Sequence, residues 1–483
     1  MNLGALQIQA IVDATKTPTP EQVRVVEAPR RPLLVVAGAG SGKTETMSMR
    51  VLWLLANHAD LTPASILGLT FTRKAAGELG DRLRERIRLL SREMPQMRER
   101  LDEDPVALTY NSFAERIVSE HGMRIGIDPD FSMLSEAGAL DMMTQIVEAW
   151  PTDLDEELRP IDAVPQVLHL AGELAEHGFT VERAREALEE LGRELSQVGD
   201  TNEEARKLLR ANRRRLAFLG PIATYQQRKR EMGVLDFSDQ LVLATRIVRE
   251  APAVRAALRE EFRAVLLDEF QDTSVIQMEL LSTLFGDHAV TAVGDPNQAI
   301  YGWRGASASS LETFLDRFQT GAPEAGQTLT LSTAWRNDVA ILDVANRVAA
   351  PLREVASYQQ GKDALKAQSP VLVPRKGAGQ GTVEIAYTQV YEDALAATVD
   401  FVKRVRSQAT KDGKRRTVAV LSRRRKDFPF IDAALREAGI PTEIVGLGGL
   451  LDQPAVQDVR AALELAYDVA ASPWLARLLA GID

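Results

Sequence analysis

A chain of 483 residues, 45% hydrophobic and 26% charged, has the composition of a globular protein with a sizeable core, and at roughly 100–200 residues per domain it holds about two to four domains. It contains no cysteine, which excludes disulfides and cysteine-based zinc or iron–sulfur sites and favours an intracellular setting. A net charge of −10 argues against a protein held on nucleic acid by bulk charge, while leaving local contacts to basic clusters such as Arg213-Arg214-Arg215 and Arg423-Arg424-Arg425-Lys426.

Residues 1–19 lack the basic start and apolar run of a signal peptide, and no apolar run reaches about 18 residues, so a cytoplasmic protein with no membrane partner is expected. After a polar leader over residues 1–18, Thr19-Pro20-Glu21-Gln22 opens a short helix. Gln22 stands just ahead of a strand, and its amide offers a donor and an acceptor together, as reading an adenine edge requires.

Leu33 to Val36 is an apolar run of strand length. It leads into Ala37-Gly38-Ala39-Gly40-Ser41-Gly42-Lys43-Thr44 and then into helical spacing at Met47, Val51, Leu54 and Leu55. Successive backbone N–H groups of such a loop, with the positive end of the following helix, form a nest for the β- and γ-phosphates of a nucleotide. Lys43 would reach those phosphates and the Thr44 hydroxyl would ligate Mg²⁺. Ala37 stands where the usual pattern has its first glycine, a mild departure because the later glycines carry the closest approach.

Ile66 to Thr72 predicts a second core strand with a polar end at Thr70 and Thr72, on either side of Phe71, followed by a helix carrying Leu79, Leu83 and Ile87. Val106 to Tyr110 predicts a third strand, leading to Asn111. Hydroxyls and amides at strand C-termini lie where open α/β sheets bind ligands. Phe71 suits base stacking and the core equally well.

From about 114 to 232 the pattern becomes helical, as at Ala184, Leu188, Leu191 and Leu195, and reads as an inserted helical domain. The α/β signal returns with Ala264 to Leu267, a buried strand ending in Asp268 and Glu269. Two adjacent buried acids are costly unless a cation or hydrogen bonds compensate. Beside a phosphate loop the compensation is Mg²⁺, held by Asp268 through water, while Glu269 orients and deprotonates the attacking water. The 225 residues from Lys43 to Asp268 require an insertion, which the helical block supplies. A further strand, Val290 to Gly294, leads to Gln298, suited to sensing a γ-phosphate, and to Tyr301 and Trp303, suited to stacking unpaired bases.

The glycine loop, Thr-Phe-Thr-Arg-Lys-Ala-Ala, Leu-Asp-Glu-Phe-Gln-Asp-Thr and Val-Gly-Asp-Pro-Asn-Gln-Ala-Ile-Tyr-Gly-Trp-Arg-Gly-Ala resemble, in order and spacing, the motifs of the superfamily-one UvrD/Rep/PcrA helicases. The style is similar to bacterial members that include helicase–nuclease subunits. The resemblance implies an α/β fold: a RecA-like P-loop motor domain with a helical insertion, plus a partial second RecA-like domain. It implies adenine recognition by Gln22 and phosphate and metal binding from Ala37 through Thr44, with ATP and Mg²⁺ as cofactors. Catalysis falls to Lys43, Asp268 and Glu269, coupling to Gln298 and Arg304, and DNA contact to Thr70, Phe71, Thr109, Asn111, Tyr301 and Trp303. Leu331-Ser332-Thr333-Ala334-Trp335-Arg336 resembles a later family segment, so that Arg336 would reach the γ-phosphate and Trp335 would stack near adenine.

Several positions depart from the family's pattern. Asn111 stands where many relatives have histidine, and Glu45 where they often have arginine. Thr417 to Leu421 predicts a strand of the second motor domain, and the segment from Ile440 to Val459 resembles the exit into a second helical insertion. The family's last motifs do not follow, so a portion of a longer helicase is expected. The expected domains are a first motor domain over 1–113 and 233–327, the insertion over 114–232, a partial second motor domain over 328–447 and the start of a second insertion over 448–483. The implied activity is ATP-driven movement on single-stranded DNA, 3′-to-5′, with strand separation in repair or recombination. Its partners are single strands and duplex/single-strand junctions, with a helicase–nuclease partner subunit admitted. The alternative is an ATP-binding, DNA-binding module that turns over little ATP because the last motifs are missing.

Overall fold

The computed structural model describes residues 3–128, 131–155, 158–197, 203–302, 306, 310–319, 321, 326–359, 368–409, 413–445, 454–467 and 478. The chain forms two compact units, Met1–Thr382 and Val383–Asp483. The first unit bears out the α/β class: it is built on a six-stranded, wholly parallel sheet.

The chain enters through α1 (Ala5–Asp13) and α2 (Pro20–Val26), the latter capped by Thr19, whose hydroxyl accepts from the Gln22 N–H. Then follow β1 (Leu33–Ala37), α3 (Lys43–Asn57), β2 (Ile66–Thr70), α4 (Arg73–Glu93), β3 (Val106–Thr109) and α5 (Tyr110–His121). Every residue of β1 and β2 is buried, as in a parallel strand covered on both faces. Alternation divides them: Leu34 and Val36 join one apolar cluster, while Leu33, Val35 and Ala37 join the other with Met47, Val51 and Leu55 of α3.

A helical block interrupts the sheet. Its two ends meet in a short parallel pair, β4 (Ser132–Met133) with β5 (Val234–Leu235). Between them α6 (Glu136–Glu148), α7 (Pro160–Glu176), α8 (Val181–Gln197) and α9 (Glu203–Met232) enclose their own core around Met143, Val167, Leu219 and Ile222. The insertion was expected from residue 114, but α5 buries Tyr110, Phe113, Ile117 and Val118 in the core of the sheet. Helical spacing shows that a stretch is a helix without showing which core receives its apolar face.

The sheet resumes through α10 (Phe237–Glu250), α11 (Pro252–Glu261), β6 (Ala264–Leu267), α12 (Val275–Phe285), β7 (Val290–Gly294), α13 (Phe314–Phe318) and β8 (Gln327–Leu331). Strand order is β3-β2-β6-β7-β1-β8, which aligns the C-terminal ends of β1, β6 and β7 along one edge. A second domain was expected from residue 328, yet β8 pairs with β1 over its whole length, Leu33 opposite Gln327 through Ala37 opposite Leu331. The following β9 (Thr333–Ala334), α14 (Val339–Gln359) and β10 (Val373–Pro374) also lie in this unit, with β10 parallel to β9.

The second unit contains α15 (Tyr391–Ser407), α16 (Phe428–Glu437) and α17 (Pro454–Tyr467). Val402, Leu435 and Ile440 form its small buried cluster, with Val418 against it. Thr417 to Leu421, expected as a strand, forms none, and Leu421 is 92% exposed. A β-branched run becomes a strand only when another edge completes its ladder, and none does so among the described residues. Residues 448–453 of the expected second insertion lie outside the described residues.

Candidate nucleotide and nucleic-acid site

The loop after β1 is folded tightly by its glycines. Gly38 N–H donates to the Leu331 carbonyl at 3.2 Å, and Gly40 and Gly42 take φ of +73° and +82°, which admit no side chain without strain. The Ser41 hydroxyl is buried with no partner among the described residues, and α3 begins at Lys43. The loop is thereby aimed at the N-terminus of a 15-residue helix, the arrangement that favours a polyanion.

Lys43 and Glu269, 226 residues apart, meet at 2.9 Å between Nζ and Oε2. Among the described residues Glu269 is one of two non-glycine residues with positive φ, at 49°, a costly conformation that aims its carboxylate at the loop. Burial, supplemented by the Glu269 charge and opposed by Lys43, pushes the Asp268 carboxyl up to about 6. Burial acts upward on Glu269 too, but the charge of Lys43 and hydrogen bonds from Gln271 and Lys43 bring its carboxyl below the usual value. The two adjacent carboxyls are thus shifted in opposite directions.

A chain of hydrogen bonds leads away from Glu269. Gln271 Nε2 donates to Glu269 Oε2 at 3.0 Å, and its Oε1 accepts from the Asp295 N–H at 3.1 Å. Asp295, 3% exposed, accepts from Gln298 Nε2 at 2.7 Å and from the Ser369 hydroxyl at 2.5 Å. Gln271, Asp295 and Ser369 escaped the sequence reading. The first two sit inside recognised motifs, but Ser369 carries no local signal.

Beside this chain lies a cleft of about 530 Å³, lined among others by Phe71, Thr109, Tyr110, Asn111, Phe237 and Tyr301. Phe71 stacks obliquely on Tyr110, ring centroids 4.8 Å apart, so it both leans on the core and faces the cleft. Thr109 caps α5, its hydroxyl accepting from Ser112 N–H at 3.0 Å. Thr70 is 1% exposed in β2 and does not line the cleft; Thr72 and Arg73 do. Trp303 and Arg304 lie outside the described residues.

On the other side of the loop, the Trp335 N–H donates to the Gly40 carbonyl at 2.8 Å. A Cβ on Gly40 would stand 3.2 Å from the Cβ of the exposed Arg336. Glu21 holds this segment, its carboxylate accepting from both the N–H and the hydroxyl of Ser332 at 2.8 Å. Trp335, Gln22, Met49 and Glu45 line a recess of about 210 Å³. Gln22 is already engaged there, accepting from Thr19 N–H and donating to the Thr46 hydroxyl. A Cβ on Gly38 would collide with Leu372, so the residue just ahead of β10 lies directly on the loop.

The residues present fit a magnesium ion. The raised Asp268 carboxyl has an oxygen that accepts from the Glu269 N–H, and no cation pairs with it among the described residues, so a metal would relieve its burial. Among the described residues there is no group of three or more His, Cys, Asp or Glu that could hold a metal. Among the same residues, no helix is long and apolar enough to cross a membrane.

A family model described as "UvrD/REP helicase N-terminal domain" matches residues 18–319. The chain is 27% identical to DNA helicase II of Escherichia coli K12, over 92% of this chain and 54% of that protein. It is 27% identical to ATP-dependent DNA helicase PcrA of Leuconostoc citreum, over 68% and 38%. To the PcrA of Staphylococcus aureus Mu50 it is 26% identical, over 92% and 53%. The chain spans about half the length of the curated relatives it matches along most of its length.

Proposed function

The chain belongs to the UvrD/REP helicase family, and on that premise we propose that it hydrolyses ATP and couples hydrolysis to movement along single-stranded DNA. The observation that carries this reading is the continuous chain Lys43–Glu269–Gln271–Asp295–Gln298, which leaves the phosphate loop and ends three residues before Tyr301 at the aromatic cleft. A change at the phosphates has a direct hydrogen-bonded route to the loop that would touch DNA.

In this reading the loop N–H groups and Lys43 bind the β- and γ-phosphates, and Lys43 exchanges its Glu269 partner for them. That exchange frees Glu269 to orient a water molecule and take its proton. Magnesium, held by Thr44 and Asp268, would neutralise charge on the phosphate oxygens. Arg336 would contribute a guanidinium to the transferring phosphate. Bases would stack on Phe71 and Tyr301, and on Trp303 beside them in sequence. The finer reading is 3′-to-5′ movement with strand separation at duplex/single-strand junctions, in repair or recombination, with a helicase–nuclease partner subunit.

Steady-state ATP hydrolysis by the chain in Mg²⁺ buffer, with and without single-stranded DNA at fixed salt, tests this. Stimulation of tenfold or more is expected. Binding of ATP and DNA without stimulated turnover would favour a binding module instead.

A further inference from the structure

We propose that Glu45 sets the nucleoside selectivity of the recess beside the phosphate loop, with Arg86 as its positioning residue; this rests on the nucleotide reading above. Pro18, Met49 and Trp335 supply largely apolar walls to this recess, and Gly42 opens it toward the phosphate loop. A planar ring system fits such walls, and what distinguishes one nucleoside from another is then decided by the polar groups that interrupt them.

Those groups are mostly already satisfied. Gln22 uses both ends of its amide on Thr19 and Thr46. Gln9 donates to the Asp13 carbonyl, and Lys16 pairs with the Asp13 carboxylate. Glu45 is different. Its Oε2 accepts from Arg86 Nη2 at 2.5 Å, while its Oε1, buried like Arg86 Nη1, has no hydrogen-bond partner among the described residues. Arg86 reaches across from α4, itself largely buried, and fixes the carboxylate at one corner. The last torsion of a glutamate is soft, so the carboxylate can turn about that anchor and offer acceptor capacity to a ligand.

An anionic acceptor in a nucleoside recess recognises a hydrogen-bond donor. On a nucleoside that donor is an amino group of the base or a hydroxyl of the sugar. An analogue lacking it leaves the carboxylate unpaired in a partly desolvated place, and this is how sites built to bond a polar group reject its absence. Arg86 also offsets the charge of Glu45, which otherwise would repel the triphosphate at the mouth of the same recess.

Competition binding to the full chain, read by displacement of a fluorescent ATP analogue, tests this with ATP, 2′-deoxy-ATP, 3′-deoxy-ATP and purine riboside triphosphate. Wild type should bind one of the three analogues about tenfold more weakly than ATP, and which one identifies the donor as sugar hydroxyl or base amino group. Glu45→Ala should bring that ratio below about threefold, and Arg86→Met should lower it while weakening ATP itself. Glu45→Gln, which keeps the shape of the side chain, should retain part of the ratio and guards against a misfolded alanine variant. Equal binding of all four nucleotides by wild type, or a Glu45→Ala variant weakened equally toward all four, would overturn the proposal and leave Glu45 as a structural partner of Arg86. Failure of wild type to bind ATP would instead overturn the nucleotide reading itself.

Discussion

Glu269 occupies a backbone conformation that its own Cβ disfavours, with φ at 49°, and the fold maintains it by binding the side chain to Lys43 and Gln271. Glu269→Gln keeps the shape and the contact with Gln271 but removes the base, so ATP binding should survive while turnover falls on the order of 10²–10⁴-fold. Unchanged turnover in that variant would remove its assigned role. The neighbouring Asp268 sets a pH dependence. Its folded value of about 6 lies above the ordinary carboxylate value, so its contribution to stability is present below about pH 4 and lost as pH rises through about 6. Asp268→Asn should therefore stabilise the nucleotide-free protein at pH 7.5 relative to pH 4 by at most about 3 kcal/mol, read as the difference between wild-type and variant urea midpoints. Arg50 shows a buried charge with a purely structural use. It is 1% exposed, and its guanidinium donates to the carbonyls of Val25, Val26, Ala28 and Pro29 and to the Thr291 hydroxyl. It thus ties the end of α2 to β7. Arg50→Met should cost on the order of 3 kcal/mol in urea unfolding, because several buried carbonyls lose their donor at once.

At the scale of elements, the junction of the helical block with the sheet is held by a buried ion cluster. Lys229, near the end of α9, donates to Asp236 at 2.5 Å and to Asp239 at 2.7 Å, and its ammonium lies 4.6 Å from the Tyr225 ring centroid. The same two carboxylates cap α10, each accepting from the other residue's N–H. One lysine therefore fixes where the block returns to the sheet. Lys229→Met would leave two partly buried carboxylates facing each other. Amide exchange of β5 and the first turn of α10 should then accelerate by tenfold or more, while exchange of β1 and β7 stays as in wild type. Uniform acceleration throughout the sheet would show that the cluster supports the whole unit rather than the junction.

For the whole molecule, the two units differ in how completely they bury their apolar residues. The first encloses the sheet between two large clusters, whereas in the second Ile385, Tyr387 and Leu421 are 87%, 97% and 92% exposed. Local stability follows burial. Amides of residues 383–390 and 417–421 should exchange within seconds at neutral pH while those of β1, β6 and β7 persist for hours, as measured by hydrogen exchange and mass spectrometry. Protection of the exposed segments comparable to that of the sheet would contradict the burial seen here.

Chemistry that depends on local order was legible in the chain alone. A strand, a glycine loop and Lys43, or an apolar strand ending in two acids, carry their signal within a dozen residues, so the family and the α/β class followed from motifs and periodicity. What depends on distant pairing was not legible. Only the ladder between β8 and β1 assigns residues 327–331 to the first sheet, and only the packing of Ile117 and Val118 assigns the rest of α5 to its core. Ser369 meets Asp295, and Glu21 meets Ser332, across separations of 74 and 311 residues that no local pattern records. A strand is likewise a property of two segments, which is why the β-branched run from Thr417 to Leu421 predicts one and the tertiary structure, offering it no ladder among the described residues, forms none.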